Sequence, residues 1–283
     1  MLKKLLIICI FLSSLYSENR YKFDFIPHEE NYILLAGYTN SNIVEKFWNS
    51  DGERNHNKEY TRDQTETQFQ FSFKIPVTQN LFNTKADLYF AYTQNSFWQV
   101  YDKKHSSPFR ETNYKPELFL EWNPEYKIDH SRLEKIRLSF IHQSNGQNIG
   151  ASRSWNRTQL HVAFRDESLF YGFDIWDRWN EKSKESLDKA KGDDNPDLEK
   201  YIGKQRYFIK YETDNYKVSL SHQNDIFNYD ISKGNTKFDF IFPTGSDKID
   251  FFIRYFHGYG ESLIDYDVKI QRIGFGIMLA TWN

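Results

Sequence analysis

One pattern recurs through most of this 283-residue chain: apolar and polar side chains alternate, residue by residue, in run after run. Clear cases are Thr65 to Ile75, Lys85 to Val100, Glu117 to Trp122, Lys135 to Ser144, Trp155 to Phe164, Leu169 to Trp179, Gln205 to Tyr211, Lys217 to His222, Lys237 to Phe242, Lys248 to Phe256 and Val268 to Ala280, with Tyr32 to Tyr38 a weaker one. A period of two is the period of a β-strand, which turns successive side chains to opposite faces. About a dozen such runs follow one another, with Gly, Pro, Asn and Asp clustered between them. No long amphipathic helix competes, and no repeat of solenoid or propeller length is visible. A sheet this large has to hide or abolish its edges. A soluble sandwich and a closed membrane barrel both do so, and a single alternating strand does not tell them apart.

Three features favour the barrel. Aromatic residues make up 18% of the chain, with 25 Phe, 19 Tyr and 7 Trp; such residues favour strands and form girdles at membrane interfaces. Connection lengths alternate: Phe164 to Leu169 is tight, whereas Gln143 to Ser154 and Glu181 to Gly203 are longer and polar, as short periplasmic turns and long external loops would be. The N-terminus reads as an export signal over residues 1–17, with basic Lys3 and Lys4, an apolar Leu5 to Leu15 and Ser17 before the cleaved bond. Residues 18–283 then form a single barrel domain. The only cysteine, Cys9, lies in the leader, so the mature chain carries no disulfide. Beyond the leader no apolar run is long enough for a helical span. Net charge is −2, which gives no footprint for a nucleic-acid partner. The Glu181 to Lys191 stretch is expected to form a short surface helix.

Chemistry concentrates at one strand end. In Ile136 to Gly146 the even positions read Ile136, Leu138, Phe140, His142 and Ser144, so a base and a hydroxyl share the apolar face. The next strand brings Asn156 to the same face. Nucleophilic catalysis needs a hydroxyl, a base within reach and a group that orients the base. Ser144, His142 and Asn156 fill those roles in that order. Polar groups that face lipid are costly and mark function. The same three residues also fit a plain headgroup-zone position, where polarity costs little.

The segments His142-Gln-Ser-Asn-Gly146 and Ser152-Arg-Ser-Trp-Asn-Arg157 resemble the signature of the outer-membrane phospholipase A family of Gram-negative bacteria. So do Ser106-Ser-Pro-Phe-Arg-Glu-Thr-Asn-Tyr114, Asp193-Asp-Asn-Pro-Asp197 and Gly258-Tyr-Gly-Glu-Ser-Leu-Ile-Asp-Tyr266. The resemblance implies an all-β, twelve-stranded antiparallel transmembrane β-barrel in the outer membrane. It implies a calcium-dependent hydrolase of phospholipid acyl esters, with the triad on Ser144, His142 and Asn156 and the Gly146 N–H as oxyanion donor.

It also implies a Ca2+ site. Gln147 would contribute its backbone carbonyl, Ser152 its hydroxyl, and Ser106 a ligand from the partner subunit of a homodimer. Asp194 resembles a residue of a second, monomer site, whose other acid is replaced here by Ile149. Gln143 stands where relatives often carry Asp. Gln94, a lone amide on the apolar stripe of Leu88 to Trp98, matches a glutamine at the family's dimer interface, and a two-fold axis would let it pair with its copy. The expected function is hydrolysis of sn-1 and sn-2 esters of membrane phospholipids and lysophospholipids through an acyl-serine. The competing reading is a passive, porin-like barrel with a water-filled lumen; a soluble exported β protein ranks third.

Overall fold

The computed structural model describes residues 24–40, 63–124, 126–148, 150–184, 191–225, 232–246 and 248–279. The expected leader, with Cys9, lies outside these residues, as does Ile149. The strands are β1 (Ile26–Pro27), β2 (Tyr32–Thr39), β3 (Thr65–Leu81), β4 (Ala86–Trp98), β5 (Phe109–Trp122), β6 (Tyr126–Ile128) and β7 (Ser131–Ser144). They continue as β8 (Ser154–Asp166), β9 (Leu169–Arg178), β10 (Gln205–Glu212), β11 (Lys217–Asn224), β12 (Asn235–Pro243), β13 (Ile249–Gly258) and β14 (Ile270–Leu279). Neighbours pair antiparallel around a closed circuit from β2 to β5 and from β7 to β14, and β14 returns to β2. This is a twelve-strand barrel without a free edge. β1 and β6 are short additions on β3 and β7.

The alternation sorts side chains as the sequence predicts. On β7, Phe140 is 49% exposed and Ile141 2%. On β13, Phe251 and Ile253 face out while Asp250, Phe252 and Arg254 are buried. The outer wall is thus an apolar surface that only lipid can cover at low cost.

Inside, charges pair across the lumen. Glu66 accepts two bonds from Arg110 at 3.0 Å and one from Arg272 at 2.6 Å. Asp174 accepts from Arg206 at 2.8 Å and meets His161 at 2.9 Å. Asp239 accepts from Arg254 at 2.7 and 2.9 Å. Between β1 and β2 the chain turns inward. His28 meets Glu117 at 3.0 Å, Glu29 accepts from Lys115 at 2.5 Å, and Glu30 accepts from both Lys237 and Arg254 at 2.9 Å. These partners sit on different walls, so the excursion crosses the bore. Cavities of about 180 and 200 Å3 remain beside it. The water-filled lumen of the porin reading is therefore largely replaced by paired side chains.

One expectation is corrected. β5 begins at Phe109, well before the predicted Glu117, because its first half turns Arg110, Glu111 and Asn113 inward and lacks an apolar stripe. Most of the helix expected from Glu181 to Lys191, residues 185–190, lies outside the described residues. Before it, Ser183 forms a bridge with Asp193, and the Asp193 N–H donates to the Lys182 carbonyl at 2.9 Å. A short helix, α1 (Leu198–Ile202), follows, and its Leu198 and Ile202 bury themselves against Trp155, Leu263 and Tyr266.

Candidate active site

β7 and β8 pair with His142 opposite Asn156 and Ser144 opposite Ser154. Opposed residues in an antiparallel pair have neighbouring Cβ atoms, so the register itself joins the base to its orienting residue. His142 Nδ1 lies 2.8 Å from Asn156 Oδ1. An amide oxygen only accepts, so Nδ1 carries the proton and Nε2 keeps its lone pair. Ser144 follows two residues on, on the same outward face. His142 is exposed and Ser144 half-buried. The inward neighbours make a firm base beneath them: Trp155 packs on α1, Arg157 lies 4.1 Å over its ring, and Gln143 accepts from Trp155 at 3.2 Å and Arg157 at 3.3 Å. An Asp at 143 is not needed to satisfy those donors.

The following loop is pinned by Asn145, which the sequence reading missed. Its backbone N–H donates to the Arg153 carbonyl at 3.0 Å. Its side chain accepts from the Arg153 N–H at 2.8 Å, donates to the Ala151 carbonyl at 2.9 Å and to Glu111 at 3.4 Å. Glu111 in turn accepts from the Ile264 N–H at 3.2 Å. Arg110, next to it, is ion-paired with Asp265. The start of β5 and the loops at 145 and 264 are therefore joined as a unit at one end of the bore. Tyr266 belongs to the same unit and donates to Asp197; burial and that carboxylate hold its phenol above the ordinary range.

Gly146 sits at φ 62°, and a Cβ there would come within 3.1 Å of Tyr114. Gln147 is exposed on the loop. Ser152 donates to Asp194 at 2.7 Å, which leaves the hydroxyl lone pairs available. Such an arrangement suits a serine bound to calcium, with the carboxylate behind it taking the proton. Asp194 itself is half-buried and ion-paired with Lys184, so a cation bound to it would have to displace that ammonium. Gln147 and Ser152 offer the oxygen ligands that suit calcium. Ser106 stands apart on the exposed turn after Lys103–His105, in the left-handed conformation at φ 64°. Asp102 fixes that turn by accepting from the His105 N–H at 3.2 Å and meeting its ring Nδ1 at 2.7 Å.

Gln94 faces outward on β4, and its amide is satisfied along its own strand. Tyr92 donates to it at 3.2 Å, it donates to Ser96 at 3.2 Å, and Ser96 meets Thr112 at 3.2 Å. The lone amide of the sequence reading is one rung of a polar ladder on the lipid side.

Comparison with known proteins agrees with this geometry. The sequence model for phospholipase A1 matches residues 12–279. The phospholipases A1 of Salmonella typhimurium and Escherichia coli K12 are each 30% identical over 268 residues, covering 95% of this chain and 86% of theirs. A Neisseria meningitidis relative assigned to phospholipase A1 is 34% identical over 253 residues; the match covers 89% of this chain but only 64% of that longer protein. The solved outer membrane phospholipase A of Escherichia coli superposes with a TM-score of 0.77 at 28% identity, over 91% of this chain and 98% of that one. The Salmonella typhi enzyme, solved as a dimer with bound calcium, gives 0.77 and 28% over 95% and 96%. The chain belongs to the phospholipase A1 family of outer-membrane β-barrels.

Proposed function

We propose that this protein is a calcium-dependent outer-membrane phospholipase. It hydrolyses the sn-1 and sn-2 acyl esters of glycerophospholipids and lysophospholipids, and it is active as a homodimer. The observation that carries the reading is the 2.8 Å contact between His142 Nδ1 and Asn156 Oδ1 on a lipid-facing surface, with Ser144 next on the same face. Ser144 Oγ attacks the ester carbonyl while His142 Nε2 takes its proton. The same nitrogen returns that proton to the departing glycerol oxygen, leaving an acyl-serine. His142 then takes a proton from water as it attacks the acyl carbonyl, and passes that proton to Ser144 Oγ as the fatty acid leaves. The Gly146 N–H donates to the oxyanion in both halves.

Calcium, when bound, supplies a positive charge that polarises the ester carbonyl. Gln147 and Ser152 of one chain and Ser106 of the partner subunit would hold it. The calcium-bound dimer of the Salmonella typhi relative supports a site completed in trans. Gln94 would lie in that dimer face. Substrate would enter sideways from the outer leaflet, because the triad faces lipid. Residues 1–17 would direct export and be removed.

The test is fatty-acid release from phospholipid micelles, with calcium or with chelator, by wild type and Ser144→Ala. Full release by the variant would dismiss Ser144 as the nucleophile.

A further inference from the structure

The alternation of β9 does not stop where its ladder ends. Ile175 is exposed on the outer wall, and Asp177, Trp179 and Glu181 follow it at a spacing of two. The register continues as well: the Trp179 N–H donates to the Asn156 carbonyl at 2.9 Å, one step beyond the Arg157–Arg178 pair. This extension sets Glu181 beside Asn156, and Asn156 Nδ2 donates to Glu181 Oε1 at 2.8 Å. Glu181 belongs to the strap Glu181–Lys184, which is held in turn by the Ser183–Asp193 bridge and the Lys184–Asp194 ion pair.

An asparagine amide has an oxygen and a nitrogen of nearly the same shape, so either end can face the histidine. The two orientations are not equivalent for catalysis. Oxygen toward Nδ1 keeps the proton there and frees Nε2; nitrogen toward Nδ1 reverses the tautomer and removes the base. A carboxylate accepts and does not donate. With Glu181 behind it, the flipped amide would set its oxygen against a carboxylate oxygen, while the observed one satisfies both ends. We propose that Glu181 is a positioning residue of the triad: it fixes the Asn156 amide, and through it the His142 tautomer, and supplies the negative charge that the neutral amide lacks. The proposal deepens the Ser144–His142–Asn156 reading and rests on it.

A charge-relay position has a signature that a merely structural contact lacks. In the wild-type background, Glu181→Gln replaces an acceptor-only group with one that can also donate, so either amide orientation becomes acceptable. In an Asn156→Asp background, the new carboxylate faces Glu181 and the two repel; there Glu181→Gln supplies a donor instead. The same substitution should therefore lower activity beside Asn and raise it beside Asp. Outer partners of this type change activity by about 10–100-fold when lost. We expect Glu181→Gln to lower kcat by about tenfold with KM nearly unchanged, and Glu181→Ala to do at least as much. We expect the double variant to exceed Asn156→Asp alone.

Wild type and these four variants are purified full-length in detergent, checked for intact β-structure by circular dichroism, and assayed on phospholipid micelles with saturating calcium. Opposite signs in the two backgrounds support the relay. The same sign in both, or no effect in either, overturns it. Ser144→Ala, run alongside, separates the two readings: if it stays active the triad itself fails, whereas its inactivity with an indifferent Glu181 removes only the relay.

Discussion

Ser152 and Asp194 are joined by a 2.7 Å hydrogen bond in which the serine hydroxyl is the donor, and Lys184 is ion-paired with the other oxygen of that carboxylate. A tethered ammonium therefore already engages one oxygen of that carboxylate. The serine stays free to offer its lone pairs, and the carboxylate behind it sharpens the direction in which they point. Ser152→Ala should raise the calcium concentration for half-maximal activity most. Asp194→Ala should raise it by about tenfold. Lys184→Met should act in the opposite direction, because it releases a carboxylate next to the metal. Calcium titrations of fatty-acid release compare the three. A higher calcium requirement in Lys184→Met would contradict this arrangement.

Asn145 is 2% exposed and uses both its backbone and its side chain to tie the loop that carries Gly146, Gln147 and Ser152. Asn145→Ala leaves the Arg153 N–H and the Ala151 carbonyl without their partners. Each buried polar group left unpaired costs about 1–3 kcal/mol. The variant should unfold at lower urea concentration, and should lose more activity than its loss of stability accounts for. Asn145→Asp keeps the acceptor but sets a carboxylate near Glu111, so it should do no better. Urea midpoints measured with kcat on the same preparations test both statements.

These two residues also show where sequence reading ends. All twelve alternating runs correspond to barrel strands, because the period of two follows directly from which face meets lipid. His142, Ser144 and Asn156 were legible for the same reason, since they break an apolar stripe. The inward half of β5 was not, because Arg110, Glu111 and Asn113 share no stripe and are explained only by partners far along the chain. Asn145 looked like any turn residue, and its role depends on how a loop folds back on itself. Glu181 had a signal, the continued spacing from Ile175 and Trp179, but the polar run after it read as loop. Ion pairs that cross the bore, such as Glu30 with Arg254, depend on closure of the whole barrel and leave no local pattern.

Gly146 combines a positive φ of 62° with a hydrogen atom where a Cβ would press on Tyr114 at 3.1 Å. The conformation alone costs an ordinary L-residue about 1–2 kcal/mol. Gly146→Val should therefore shift the oxyanion N–H and lose most of kcat. Gly146→Asn should retain more, since asparagine enters this region more readily. Removing the steric neighbour with Tyr114→Ala should not restore Gly146→Val, because the backbone strain remains. A full rescue would assign the effect to the ring contact instead.

The Ser106 turn depends on Asp102, whose carboxyl is held below the usual range by the hydrogen bond from the His105 side chain. A lowered folded value stabilises the turn above the unfolded carboxylate pKa of about 3.9, and that support is lost only as pH falls through the lower folded value. The turn should keep its amide protection down to about pH 4 and loosen below it. Asp102→Ala should loosen it at neutral pH. Hydrogen exchange of the 103–107 amides reads both. Uniform protection in the variant would show that the turn does not need its cap.

Glu66 gathers several partners inside the lumen. Its carboxylate is 1% exposed and receives Arg110, Arg272 and Gln99, the last at 2.7 Å. Arg110 continues to Asp265 and Arg272 to Glu261 at 2.8 Å, so one acid on β3 joins two strands to the β13–β14 loop. Removing one partner of a buried ion pair costs about 3–5 kcal/mol, because the other charge stays behind. Glu66→Gln keeps the shape but takes one carboxylate from each of two guanidinium groups, whereas Glu66→Gln with Arg110→Met removes one of those groups together with the acid. The double variant should therefore be less destabilised than the sum of its parts, and a urea-denaturation cycle with Arg110→Met alone measures that coupling. Strict additivity would mean that the pair is screened by water in the bore and that the loop is held by other bonds.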